Sequence, residues 1–150
     1  MTSIRALLGN RPVFSVRPEM SVLDVARAMC EKHVGAIVVI GPGGDGPLGI
    51  FSERDLMERV VARGGDPARI PVEQVMTRDV LTAGPDASSD ECMRKMQERG
   101  CRHLPIVEGG RVIGMLSLRD LLRVEIDEKA EEIRWMNAYI HDVPPDHLIP

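Results

Sequence analysis

The chain contains the stretch GIFSERD at residues 49–55 and the stretch GMLSLRD at residues 114–120. Both begin with glycine and two apolar residues, continue with serine, and end on the same Arg-Asp pair. In each stretch a β-rich segment passes into a segment with helical spacing, so we expect a strand-to-helix junction at both places. Because this junction occurs twice, it predicts a chain built from two copies of one unit.

The repetition extends beyond these two stretches. At an offset of 67, Pro18, Ser21 and Met29 align with identical residues, and the motif itself aligns at an offset of 65. The change of two residues falls in one loop, GPGGDG at 41–46 in the first copy and EGG in the second. Two copies are too few for a solenoid array, so we expect two halves of one pseudo-symmetric body.

Each copy has the element order β-α-β-β-α, which predicts an α/β fold. A short β-rich stretch opens each copy, at Val13–Val16 and at Val80–Ala83. Ser21 and Ser88 then stand three residues before an acid, the spacing of a capping box, so each is expected to begin a helix. The loop GPGGDG resembles a dinucleotide-binding glycine pattern, but a strand follows it, so we interpret it as a hairpin loop.

The end of the chain carries apolar residues three or four positions apart from Ile126 to Ile140. This spacing predicts a C-terminal amphipathic helix, which either continues the second closing helix or starts anew, and which either docks on its own domain or forms a dimer contact. Val143-Pro144-Pro145 is expected to end it. The predicted division is a first domain at 8–68, a second at 76–132, and the C-terminal helix and tail at 133–150.

Composition narrows the class of protein. The 150 residues are 43% hydrophobic and 28% charged, which is typical of a globular chain, and no apolar run approaches the roughly 20 residues of a membrane span. A net charge of −4 and only four aromatic residues argue against nucleic-acid binding. Three cysteines form no CxxC pair, and no secretory signal is recognisable, so we expect reduced thiols and a cytoplasmic location.

The chemistry of the repeated motif suits a nucleoside. Its glycine lets the backbone approach a flat base, and its aspartate, Asp55 or Asp120, offers two acceptor oxygens for the two ribose hydroxyls. The following helix N-terminus presents free N–H groups to a phosphate, and the adjacent Arg54 or Arg119 adds a charge-assisted hydrogen bond.

A structural interpretation competes with this one. Ser52 with Asp55, and Ser117 with Asp120, also have capping-box spacing, so helix initiation alone accounts for both pairs. Capping does not require the repeated arginine or the glycine three residues before the serine, and these favour a ligand. Both interpretations remain open at this point. The chain has no GxSxG or HExxH motif and no convincing acid–base pair, so we do not expect an enzyme.

Taken together, these features resemble a tandem CBS-domain protein, the regulatory module named after cystathionine β-synthase, and most closely the small stand-alone bacterial type. The resemblance covers about residues 4–125. It rests on the repeat, on GxxSxRDL in both copies, and on the segments 13–18, 71–77, 80–82 and 102–107.

The resemblance implies two clefts that bind adenosine-containing ligands: AMP, ADP, ATP, NAD(H) or S-adenosylmethionine. Asp120 and Asp55 would hold the ribose, and Ser117 and Ser52 would approach the ribose or phosphate. Further residues that the resemblance places at the clefts are Ile50 and Met115 beside the base, Arg102 and His103 on the phosphate side of the second cleft, and Ser15, Thr82 and Thr77 as additional contacts.

The first copy departs from this pattern, since Gly35 and Ala36 stand where the second copy has Arg102 and His103. The first cleft is therefore expected to be weaker, empty or suited to another ligand. The implied role is a non-catalytic sensor that requires no cofactor, forms a homodimer and signals by a conformational shift to an unidentified protein target. A ligand-free interaction adaptor is the main alternative, and a small enzyme is a second.

Overall fold

The computed structural model describes residues 2–44 and 46–142. The first half contains α1 (Ile4–Leu8), β1 (Ser15–Val16), α2 (Val22–Lys32), β2 (Ala36–Ile40), β3 (Pro47–Ser52) and α3 (Glu53–Asp55), which continues as a π-helix over Leu56–Val61. A 3-10 turn at Val72–Gln74 precedes α4 (Ser89–Arg99), β4 (His103–Glu108), β5 (Arg111–Ser117) and α5 (Leu118–Asp142). The predicted α/β fold of two repeats followed by a C-terminal helix is confirmed.

The predicted helix boundaries are set by local hydrogen bonds. The Ser21 hydroxyl accepts the Asp24 N–H at 3.1 Å, and the Ser88 hydroxyl accepts the Glu91 N–H at 3.0 Å. Helix α4 ends at Gly100, which has a φ of 64°. Glycine adopts this left-handed conformation without a steric cost, so the end of α4 is fixed by sequence.

The two hairpins match residue for residue. In the first, Ala36 pairs with Ser52, and in the second His103 pairs with Ser117. Each register shifts at the same place, after Val39 and after Ile106, which are 67 residues apart. The capping serines of the two motifs therefore leave their sheets at equivalent points.

The opening strands differ between the copies. β1 pairs in parallel with β2 through two residues, whereas the stretch predicted as a strand at 80–83 forms only an isolated bridge between Ala83 and Ile106. The Ala83 N–H donates to the Pro105 carbonyl, and the Val107 N–H donates to the Ala83 carbonyl. The next bond of a parallel ladder would need an N–H at residue 105, and proline has none. Val38 stands at the equivalent position in the first copy.

Each repeat is completed by a short helical segment from outside its sheet. The first core includes Val72, Val75 and Met76 of the linker, and the second includes Ile4 and Leu8 of α1. Helix α1, which the sequence analysis did not predict, therefore packs on the second repeat much as the linker turn packs on the first.

Helix α5 is continuous from the second motif to Asp142, so the C-terminal helix continues the second closing helix. Leu121 and Val124 are buried, but residues 129–140 are all exposed. Over those residues the helix does not dock on its own domain. The expected end of the helix at Val143-Pro144-Pro145 lies outside the described residues. Within the described residues, no helix combines the length and apolar character needed to cross a membrane.

Candidate functional site

Asp120 lies in the first turn of α5 and forms a reciprocal cap with Ser117. The Ser117 N–H donates to Asp120 Oδ2 at 2.9 Å, and the Asp120 N–H donates to the Ser117 hydroxyl at 3.1 Å. Nη1 of Arg11 also donates to both carboxylate oxygens, at 3.2 and 3.1 Å. Burial alone would raise the pKa of Asp120, but the Ser117 hydrogen bonds and the Arg11 charge outweigh it, so the pKa lies below its ordinary value. The group is therefore a carboxylate at neutral pH.

Asp55 forms the same cap with Ser52 but has additional partners in the protein interior. Asp55 Oδ2 accepts the Ser52 N–H at 3.0 Å and the Ser52 hydroxyl at 3.1 Å. Asp55 Oδ1 accepts the Thr77 hydroxyl at 3.5 Å and lies 3.6 Å from Nε of Arg59. Only 8% of Asp55 is exposed. Both of its oxygens are therefore engaged by the protein, and the helix-capping interpretation holds at both motifs.

A cavity of about 1120 Å³ lies beside Asp120, between the two repeats. The first repeat lines it with the segments 11–14 and 32–36, and the second repeat lines it with β5 and the start of α5. Small-molecule sites usually enclose about 300–1,000 Å³, so a nucleotide fits in this space. Phe14 and Met115 provide apolar surface within it.

The charge of the cavity is mainly positive. Five cationic side chains line it, against the two carboxylates of Glu53 and Asp120; the cations are Arg11, Lys32, Arg102, Arg119 and Arg123. Arg11 pairs with Asp120, and Nζ of Lys32 lies 5.1 Å from the centre of the Phe14 ring. Arg102, Arg119 and Arg123 form no ion pair with any residue that the structure describes. Their charges are available to an anion.

His103 lies in the cavity wall where the two repeats meet. Burial of the imidazole lowers the pKa of His103, and the charge of Arg102 lowers it further. The charges of Glu53 and Asp120 act in the opposite direction, but the pKa of His103 still lies below its ordinary value. Gly35 borders the same place, since a Cβ added there would overlap the Glu53 carboxylate and lie 3.3 Å from His103 Cε1. A side chain at position 35 would therefore require the Glu53 side chain to move.

The residues predicted to bind a nucleotide fall into three sets. Six of them line the cavity: Arg102, His103, Met115, Ser117, Arg119 and Asp120. Four others form a cluster that does not line the cavity: Ile50, Ser52, Asp55 and Thr77. In this cluster Ile50 and Thr77 exchange two backbone hydrogen bonds, at 2.9 and 2.8 Å.

The other three lie elsewhere. Ser15 is exposed in β1, Arg54 is exposed and forms an ion pair with Glu58 at 3.6 Å, and the Thr82 carbonyl accepts from Lys95 Nζ at 2.9 Å.

Several residues of the cavity were not predicted from the sequence. Arg11, Phe14 and Lys32 come from the first repeat, Glu53 lies within the first motif, and Arg123 follows Asp120 by three residues on α5. Arg11 had a visible signal, because it aligns with Arg78 at the same offset of 67 that defines the repeat. The others carry no such signal, since their position depends on how the two repeats pack together.

The chain thus consists of two α/β repeats, the second with a single bridge in place of its opening strand, and a cationic cavity lies between them. A capped aspartate begins the closing helix of each repeat. Family comparison agrees. The CBS domain model matches residues 4–62 and 72–127, and the chain belongs to the CBS domain family.

Several known proteins are similar to this chain in sequence or in structure. The uncharacterized protein MK0525 of Methanopyrus kandleri is 33% identical over 119 residues, which are 79% of this chain; the match covers 60% of the length of MK0525. A protein with CBS domains from Burkholderia ambifaria has a solved structure that is 35% identical, with a TM-score of 0.77, covering 84% of this chain and 95% of that one. The CBS domain protein PAE2072 of Pyrobaculum aerophilum, solved as a complex with AMP, is 26% identical, with a TM-score of 0.73 and coverages of 79% and 89%.

Proposed function

We propose that this chain is a non-catalytic sensor that binds an adenine nucleotide in the cavity beside Asp120. The observation that carries the proposal is the combination, in one cavity, of a carboxylate, apolar side chains and three arginines without ion-pair partners among the described residues. A carboxylate suits the ribose hydroxyls, and arginines suit phosphate. The AMP complex of the similar protein PAE2072 supports the same ligand class.

Charge favours phosphorylated ligands within that class. The arginines attract a phosphate, whereas uncharged adenosine gains nothing from them and the sulfonium of S-adenosylmethionine is repelled. We therefore expect AMP, ADP or ATP to bind more tightly than adenosine or S-adenosylmethionine. NAD(H) carries two phosphates and belongs with the favoured ligands.

Signalling follows from the position of the cavity between the repeats. A ligand that contacts both repeats stabilises one relative arrangement of them, and it shifts that balance only by its difference in affinity between arrangements. A protein target would then recognise the favoured arrangement. The alternative, a ligand-free adaptor, draws support from Asp55, whose oxygens are already engaged within the protein.

The test is a ligand panel followed by calorimetry. A ligand at a hundred times its dissociation constant should stabilise the folded chain by about 2.7 kcal/mol in a thermal unfolding assay. Asp120→Ala should weaken AMP binding by about 1.5–3 kcal/mol, because hydrogen bonds to a charged acceptor are lost.

Asp127→Ala is the matched control, since it removes a carboxylate from the same helix outside the cavity. If no ligand of the panel shifts the unfolding temperature at millimolar concentration, the adaptor interpretation replaces the sensor.

We also propose that the chain is a cytoplasmic homodimer. Met57 and Val61 on the first closing helix are exposed, and so are their equivalents Leu122 and Ile126, 65 residues later on α5. Two pseudo-symmetric apolar pairs form a surface that a second copy can match. The exposed apolar residues Ile133, Met136 and Ile140 extend this surface along α5.

Light scattering with size-exclusion chromatography tests the dimer. Met57→Asp, which lies outside the cavity, should convert it to a monomer, because a charge would be buried in the interface. Leu48→Asp, at an exposed apolar residue of β3, should leave the dimer intact. A wild-type chain that is monomeric at tens of micromolar, roughly the range of moderate interfaces, would contradict the proposal.

A further inference from the structure

Arg11 connects the N-terminal segment to the proposed sugar-binding carboxylate. Its Nη1 donates to both oxygens of Asp120, and its Nη2 donates to the Leu7 carbonyl at the end of α1 at 2.7 Å. Leu8, which follows Leu7 in α1, is buried in the core of the second repeat. The guanidinium is therefore held at both ends, between α1 and the start of α5.

The contact competes directly with a ribose. A ribose diol places one hydroxyl on each oxygen of a carboxylate, and Arg11 already contacts both oxygens of Asp120. Asp120 Oδ2 also accepts the Ser117 N–H, which leaves fewer acceptor positions for a ligand. The Asp120 side chain is only 18% exposed with Arg11 in this place.

We propose that Arg11 is an intramolecular competitor that occupies the sugar position of the ligand-free chain and must leave Asp120 when a nucleoside binds. The inference rests on the proposed function. It adds a regulatory contact, because the affinity for ligand then depends on where the N-terminal segment lies.

The first repeat supplies a matched comparison. Arg78 stands 67 residues after Arg11, but its Nη2 donates to the Glu73 carbonyl at 2.9 Å. Asp55 takes its ion pair from Arg59 instead. Among the described residues, Asp120 thus has an arginine partner from outside its own closing helix, whereas Asp55 does not. Asp120 is also the aspartate that lies beside the cavity.

Release of Arg11 has a structural consequence. Val13 and Phe14 follow Arg11 closely and line the same cavity, so a ligand that displaces the guanidinium also meets these residues. The segment between α1 and β1 would then change its contacts at both ends. Ligand binding would thereby alter the exposed surface of the N-terminal segment, which a partner could recognise.

Calorimetric titration with adenosine and with AMP tests the inference. Adenosine probes the sugar position without the phosphate. Arg11→Ala and Arg11→Gln should each tighten adenosine binding by about three- to fivefold, the size expected when one partly exposed ion pair no longer competes. Arg78→Ala should leave the affinity unchanged. Circular dichroism and thermal unfolding of each variant establish that it is folded.

The outcomes separate the inference from the function on which it rests. If wild type binds AMP, Asp120→Ala does not, and Arg11→Ala or Arg11→Gln binds adenosine no more tightly than wild type, the competitor role is wrong and the sensor stands. Weaker AMP binding with unchanged adenosine binding would make Arg11 a phosphate ligand and overturn the competitor role as well. If no variant binds either compound, the proposed function fails, and the competitor role fails with it.

Discussion

Asp55 and Asp120 occupy the same position in the two repeats and form the same cap with a serine, yet their other partners differ. Asp55 is buried and contacts Thr77 and Arg59, whereas Asp120 borders a cavity and contacts Arg11. The first copy of the motif therefore stabilises the interior of the first repeat, whereas the second copy lines a ligand-sized cavity. Repetition of a binding motif in sequence therefore does not establish two equivalent binding sites.

The difference arises at two neighbouring positions of the closing helices. Arg59 aligns with Val124, which is buried, and Glu58 aligns with Arg123, which lines the cavity. The first repeat therefore has an arginine beside its aspartate, and it has an acid where the second repeat has the cavity-lining Arg123. Both changes favour an internal ion pair in the first repeat and an anion site in the second.

The largest expected effect is on stability. Asp55→Ala should lower the free energy of unfolding by about 3 kcal/mol, because Ser52, Thr77 and Arg59 lose a shared, buried partner. Asp120→Ala should cost about 1 kcal/mol, the usual value of one helix cap. Urea unfolding of both variants measures the two values.

Asp55→Asn and Asp120→Asn are the controls for side-chain size. Equal decreases in the free energy of unfolding in the two alanine variants would show that Asp55 and Asp120 have the same structural role, and would contradict the difference proposed between the two repeats.

A second, smaller difference concerns the glycines that begin the motifs. A Cβ at Gly49 would lie 2.9 Å from the Thr77 carbonyl oxygen and would overlap the Met76 side chain. The atoms nearest to a Cβ at Gly114 belong to the Leu8 side chain, the closest at 2.7 Å. Gly49→Ala should therefore cost about 2–3 kcal/mol and Gly114→Ala about 1 kcal/mol, because a flexible side chain moves more easily than backbone. A larger loss for Gly114→Ala in thermal unfolding would contradict this order.

The smallest effect is a pH dependence that arises at His103 of the second repeat. Burial lowers the pKa of His103 in the folded chain, so the unfolded chain takes up a proton more readily. The free energy of unfolding should therefore fall as the pH decreases below about 6.5, the pKa of an exposed histidine. His103→Gln should flatten this decrease. If His103→Gln and the wild type lose stability equally as the pH decreases, the burial of His103 is not the cause of that loss.

Much of the fold followed from the sequence because its determinants are local. Ser21, Ser88 and Gly100 mark helix ends through bonds to residues three or four positions away, and the repeat predicts two matching hairpins. The loss of the second opening strand also had a visible cause, the proline at 105. These features do not depend on how distant segments meet.

The site was less accessible to sequence analysis, because it forms between segments far apart in the chain. Helix α1 is only five residues long, and it packs on the second repeat, more than 70 residues away. Arg11 reaches Asp120 across 109 positions. Arg59, four residues after Asp55, is a difference that the sequence shows, but the contacts of Thr77 with Asp55 and of Arg11 with Asp120 depend on how distant segments pack.

A crystal structure of the chain with AMP tests the central claim most directly. The account predicts AMP in the cavity between the repeats, with both ribose hydroxyls within about 2.6–3.2 Å of the Asp120 carboxylate, the phosphate near Arg102 or Arg119, and Asp55 still bonded to Ser52 and Thr77. AMP bound at Asp55, with the cavity beside Asp120 free of nucleotide, would contradict it.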